Sequence, residues 1–189
     1  MTTSPSPTTY LAAYFYAPSL ALAVTSGSDV LEVRQYRLRT YEGQRARELI
    51  ALLAAEYAVA AIVVKPESWL AAIAEGMPRP VALVSLTEAK RLLFPANPPP
   101  SHVQLAEVLI RARPTLRRLA PTWEESGELK RSEPWRLVAL VAVALGLAAA
   151  RLRQGRLARS PRPTTSFTHH PSYELLTNDE AGQRPADQG

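Results

Sequence analysis

The side chains that could do chemistry in this 189-residue chain are few, and most are carboxylates or guanidiniums. There is no cysteine. A thiol nucleophile, a disulfide framework, a cysteine-based zinc site and an iron–sulfur cluster are therefore excluded. The three histidines are His102, His169 and His170. The His169-His170 pair has no acid close by and reads as solvent-exposed. His102 follows a helix cap and reads as a surface residue. No G-x-S-x-G, P-loop or G-x-G-x-x-G occurs, so a nucleophile elbow and the common phosphate cradles have no support. Of the 17 acids only three are aspartates: Asp29 in a turn, and Asp179 and Asp187 near the C-terminus. A mechanism built on Asp–Asp metal chelation is therefore hard to assemble. The glutamates Glu124, Glu125, Glu128 and Glu133 remain. Each has a plainer reading. Glu133 would stabilise a helix dipole wherever it stood, and residues 124–128 suit a solvated loop.

The basic side is 19 Arg and 3 Lys, giving a net charge of +5. Arg111, Arg113, Arg117 and Arg118 form one basic stretch. Arg151, Arg153, Arg156, Arg159 and Arg162 form another with no acid among them. Either could contact phosphates. The charge is spread, however: 16 basic against 13 acidic residues over 10–150 (+3), and six against four over 151–189 (+2). The richness in Arg, Ala, Pro and Leu also has a plain source in GC-rich coding. Trp69, Trp123 and Trp135 read as core or rim aromatics rather than base-stacking platforms.

At 47% hydrophobic and 21% charged residues, the composition is that of one soluble globular domain. The sequence predicts a disordered Ser/Thr/Pro tail over 1–9, an ordered body over 10–152, and a disordered Arg/Ser/Pro-rich tail over 153–189. Three strands come first, at 10–16, 19–25 and 30–38, joined by short turns into an antiparallel meander. In the third, Leu31, Val33, Gln35 and Arg37 alternate with Val30, Glu32, Arg34, Tyr36 and Leu38. An amphipathic helix over 42–57 carries Ala46, Leu49, Ile50, Leu53, Ala54 and Tyr57 on one stripe. Ala60–Val64 and Val81–Val84 are short apolar runs that suit buried parallel strands. A short helix over 68–75 separates them. Ser85 and Ser101 open capping boxes for helices over 88–94 and 102–113, and 114–132 reads as irregular. Ser132 caps a last helix containing LVALVAVALGLAAA, too short at 14 residues for a membrane span of ~17–25 and so a buried core helix. No basic n-region opens the chain, so no secretory signal is predicted. The expected compartment is a bacterial cytoplasm, with no membrane association.

Three stretches give this order a relative. They are the meander 10–38 with its helix and AAIVV, the segment VALVSLTEAKRLL (81–93), and SEPWRLVALVAVALGLAAARL (132–152). Together they resemble the RuvC branch of Holliday-junction resolvases. The resemblance implies an α/β, ribonuclease H-like fold, with a three-stranded antiparallel meander plus two parallel strands flanked by helices. It also implies a nuclease that holds two Mg²⁺ about 4 Å apart on carboxylates. An acid is then expected at the end of the first strand, where the chain reads Ala13-Tyr14-Phe15-Tyr16-Ala17. Another is expected at the end of the fourth, where Lys65 stands and Glu67 comes two residues late. The last helix should open with two acids three apart, but here Glu133 is followed by Arg136. Positive charge at Lys65 and Arg136 repels a metal and suits a phosphate.

These residues predict a catalytically degenerate protein that binds nucleic acid, DNA ahead of RNA, or a DNA-processing protein. Its phosphate contacts are assigned to Lys65, Lys90, Arg91, Arg111, Arg113 and Arg136, with no catalytic residue, no metal and no cofactor. The first alternative is an active, Mg²⁺-dependent, structure-selective endonuclease with displaced acids, its ligands Glu67, Glu133 and one of Glu124, Glu125 or Glu128. The second is a scaffold with no nucleic-acid role. The family's dimers imply a homodimer, whose face no segment marks.

Overall fold

Residues 9–37 form three antiparallel strands because their apolar side chains alternate and short turns join them. The computed structural model describes residues 8–39, 42–119 and 134–158. The strands are β1 (Thr9–Tyr16), β2 (Ser19–Ser26) and β3 (Asp29–Arg37). There follow α1 (Gly43–Glu56), β4 (Ala61–Val64), α2 (Trp69–Glu75), β5 (Val81–Leu83), α3 (Leu86–Leu93) and α4 (His102–Ala112). A 3-10 segment at Pro114–Leu119 comes next, then α5 (Pro134–Ala158). The strands make one sheet in the order β3-β2-β1-β4-β5. β1 is antiparallel to β2 and parallel to β4, and β4 is parallel to β5. This is the meander plus two parallel strands that the sequence predicts.

Alternation in the strands feeds two cores. Leu11, Leu20, Leu22, Val24, Ile62 and Val64 point to the face covered by α1 and α2, where Ala46, Ile50, Leu53 and Leu70 meet them. Tyr10, Ala12, Ala21, Ala23 and Val63 point to the face covered by α3, α4 and α5. The small residues on this second face let α5 lie close to the sheet. Every residue of α5 from Val138 to Leu145 is buried, with the sheet on one side and α3 and α4 on the other. A helix that is apolar all round has to be covered all round. Among the described residues, no helix is long and apolar enough to cross a membrane. Gly146 marks the closest approach: a Cβ there would lie 2.8 Å from Thr25 Oγ1 and 2.9 Å from Thr25 Cγ2.

Several features depart from the sequence-based expectation. A bulge between Val24 and Thr25 of β2 leaves Leu31 of β3 without an opposite residue. The extra residue reverses the alternation, so Val30 and Val33, predicted on opposite faces, both pack on the α5 side. Leu31 is left 46% exposed. β5 is an edge strand bonded only to β4, so Leu83 is 51% exposed rather than buried. The helix α5 continues to Ala158, past Leu152 where the sequence reading ended the body. Part of the irregular 114–132 stretch is the 3-10 segment. Thr9, placed in the N-terminal tail by the sequence, begins β1; residues 1–7 and 159–189, Ser132 and Trp123 lie outside the described residues.

One long-range contact fixes the end of α3. Arg151 Nη1 donates to the carbonyls of Leu92 at 2.7 Å and Leu93 at 2.9 Å. These are carbonyls that a helix leaves without an internal partner. Arg151→Ala is expected to lower stability by about 1 kcal/mol, the ordinary net worth of such bonds at a partly wet site. Urea denaturation reads this directly, and Arg151→Lys should recover part of the loss.

Candidate functional site

In an α/β sheet, the carboxyl ends of parallel strands and the loops that follow them form the natural crevice. β1 ends here in Tyr14-Phe15-Tyr16, and β4 runs into Lys65-Pro66-Glu67-Ser68. The two ends are adjacent, since Ala13 is in register with Val64. They line a cavity of about 300 Å³ that includes Tyr14, Tyr16, Lys65, Glu67 and Trp69. One wall is rigid: the Phe15 and Trp69 rings meet edge to face at 5.0 Å, a favoured aromatic geometry. Tyr16 stands out from it, 64% exposed. The Tyr14 phenol is pushed above its usual range by burial and then by neighbouring Tyr16.

The β4–α2 connection is a tight turn. Glu67 has a left-handed backbone, φ 58°, a conformation uncommon outside glycine. Ser68 occupies the N-cap position of α2 but does not cap it. Its Oγ donates instead to the Lys65 carbonyl at 2.6 Å. That bond anchors the base of Lys65 while its side chain stays exposed.

A second group of cations lies beside this turn. Ser85 Oγ accepts from Glu88 N, and Ser101 Oγ accepts from Gln104 N, each at 3.1 Å. These caps fix the starts of α3 and α4. Lys90 Nζ donates to the Pro100 carbonyl at 2.9 Å, bringing it to the head of α4. His102 there is held below its usual pKa by burial, then by Lys90 and Lys65. His102 thus senses both lysines. Lys65→Gln or Lys90→Gln should raise the His102 pKa, as read by NMR titration of its ring protons. An anion bound between the lysines should raise it too, because it favours the imidazolium.

The predicted phosphate contacts do not form one surface. Lys65 and Lys90 converge, and Arg91 is exposed on α3. Arg136 lies in the first turn of α5. The far part of that helix, Ala149 to Arg153, shares a cavity with Tyr10 of β1 and Val81 to Leu83 of β5. Arg111 and Arg113 are at the opposite end of the molecule. Arg113 Nε donates to the Ser28 carbonyl in the β2–β3 turn at 3.3 Å, and burial, then Arg151, lowers its pKa. The length of β2, eight residues or about 25 Å, separates that turn from the carboxyl edge. The six residues assigned to phosphate contact therefore fall in two places, with Arg111 and Arg113 remote from Lys65. Glu133, Glu124, Glu125, Glu128, His169 and His170 lie outside the described residues.

On the same edge lies a feature that sequence reasoning missed. Pro18, Arg37, Leu38, Arg39, Glu42 and Arg45 line a cavity of about 590 Å³. Three elements contribute to it, namely the end of β3, the segment after it and the first turns of α1. The sequence does hold a signal: Arg34, Arg37, Arg39, Arg45 and Arg47 fall within 14 residues, with Glu42 the one acid among them.

Among the described residues, the two strand ends hold few acids. β1 offers two phenols and β4 an ammonium, with Glu67 the one carboxylate in the cavity. Among the described residues, no three His, Cys, Asp or Glu side chains are grouped to hold a metal ion.

No family model and no curated protein matches the chain. Solved structures do. The Thermus thermophilus RuvC structure aligns with a TM-score of 0.53 at 14% identity, over 78% of this chain and 96% of that one. T. thermophilus RuvC in complex with Holliday junction substrate aligns with a TM-score of 0.50 at 13% identity, over the same shares. At such identity the likeness establishes the fold alone, and that fold is ribonuclease H-like, built in the manner of RuvC.

Proposed function

We propose that this chain is a catalytically degenerate RuvC-like protein that binds nucleic acid, DNA ahead of RNA, or a DNA-processing complex, without cutting it. The observation that carries the reading is Lys65. It stands exposed at the carboxyl end of β4, where the resemblance calls for a metal-binding acid, and it shares a cavity with a single carboxylate. An ammonium there repels a divalent cation and forms a charge-assisted bond to a phosphate oxygen. Lys90 and Arg91 on α3 and Arg136 at the head of α5 extend the same role. Arg111 and Arg113 stand outside it. The solved complex of T. thermophilus RuvC with its Holliday junction substrate makes branched DNA the first ligand to try.

The test is fluorescence anisotropy with a labelled four-way junction, from 50 to 200 mM salt. The expected result is binding that weakens linearly in log–log form as salt rises, the mark of released counterions. Binding undetectable even at the lowest salt would overturn the reading and leave a scaffold with no nucleic-acid role.

A further inference from the structure

The two cavities on the carboxyl edge adjoin. Tyr16 lines one and Pro18 the other, with only Ala17 between them. All three residues are exposed. The strand order puts β3, which ends at Arg37, three places from β4, which ends beside Lys65. Three strand spacings are about 14 Å. The edge therefore carries two cationic stations. One is the concave group Arg37, Arg39 and Arg45, and the other is Lys65. Tyr16, exposed at the end of β1, lies between them in the strand order.

The charges on this edge are not neutralised locally. Its acids are Glu42 and Glu67, against Arg37, Arg39, Arg45 and Lys65. Glu42 is occupied in part: its Oε2 accepts from the Arg39 backbone N–H at 3.1 Å. Among the described residues the only ion pair is Arg34 with Glu56, which involves none of these groups.

Resting on the nucleic-acid reading above, we infer that this edge is a track for a single unpaired nucleic-acid strand, its phosphates held at the two cationic stations and a base stacked on Tyr16. The aromatic side chain distinguishes single from double strands. In a duplex both faces of each internal base are covered by neighbours, so a ring set between two phosphate sites finds nothing to stack on. An unpaired base offers its face, and a charged groove with an aromatic platform is the usual solution for single strands. The contact is indifferent to sequence, and the strand can be DNA or RNA.

The experiment compares labelled oligo-dT, oligo-U, a blunt duplex of equal length and a four-way junction, using the full chain. The single strands should bind at least as tightly as the duplex. Tyr16→Ala should weaken them by roughly five- to a hundredfold, and Tyr16→Phe should restore most of that. Arg39→Gln should flatten the single-strand salt slope by about 0.7, one phosphate's share. Arg79→Glu, exposed before the amino end of β5, should change nothing. Duplex preferred over single strands, with Tyr16→Ala neutral, would overturn the inference and leave nucleic-acid binding standing. Failure to bind any probe would overturn both.

Discussion

Lys65→Gln should weaken binding to four-way junction DNA by roughly tenfold or more, and Lys65→Glu by more again. A hydrogen bond to a charged partner is worth about 1.5–3 kcal/mol, which is a factor of about 10 to 150 in affinity. Charge reversal adds repulsion to the loss of that bond. The fold should not feel either change, because Lys65 is exposed and an exposed substitution usually shifts stability by less than about 0.5 kcal/mol. Its backbone stays tied through the Ser68 Oγ bond to its carbonyl. Anisotropy titrations paired with thermal unfolding separate the two effects. Unchanged binding by both variants would remove Lys65 from the interface, and with it the observation on which the functional reading rests.

The second large effect is on stability. Gly146→Ala should destabilise the protein by about 1–2 kcal/mol, although alanine is the better helix former by about 1 kcal/mol. The new Cβ would lie 2.8 and 2.9 Å from two atoms of Thr25, closer than real contacts allow. Thr25 is fully buried and β-branched, so it is stiff at χ1 and cannot swing aside. Overpacking of this kind costs about 1–3 kcal/mol. The contact makes its own control. In a Thr25→Ala background, Gly146→Ala should become neutral or stabilising, and a double-mutant cycle in urea reads the coupling. Thr25 has a further peculiarity: its buried hydroxyl has no hydrogen-bond partner among the described residues. Thr25→Val keeps the shape and drops that hydroxyl, so it should stabilise by about 1 kcal/mol. If Thr25→Val destabilises instead, the hydroxyl has a partner and the packing account of this contact is wrong.

The order of elements was legible because it rests on patterns local to each segment. The stripe of α1 from Ala46 to Ala54 is a helical period, and AAIVV is a run that only a strand covered on both faces can use. The burial of α5 followed from a 14-residue apolar segment that cannot be left wet. Features that depend on neighbours were not legible. A bulge is one residue too many relative to a partner strand, and nothing in VLEVRQYRL marks Leu31 as that residue. The run VAL at 81–83 looks as buried as AIVV, and only its place at the end of the sheet exposes Leu83. At the candidate site, Lys65 was visible because the strand end locates it. The group Arg37, Arg39 and Arg45 lies within nine residues and was legible as a basic stretch, but that it lines a concave site beside Pro18 follows only from the fold. Arg111 and Arg113 look like any other basic pair until α4 carries them to the β2–β3 turn, where Arg113 bonds Ser28.

On the proposed reading, a RuvC-like fold binds junction DNA without cutting it. The most direct test is one tube of pure full-length protein and labelled four-way junction with Mg²⁺ or Mn²⁺, loaded on a native gel and a denaturing gel. The predicted result is a retarded complex on the first and full-length strands on the second. Metal-dependent cleavage that Glu133→Gln abolishes would contradict it.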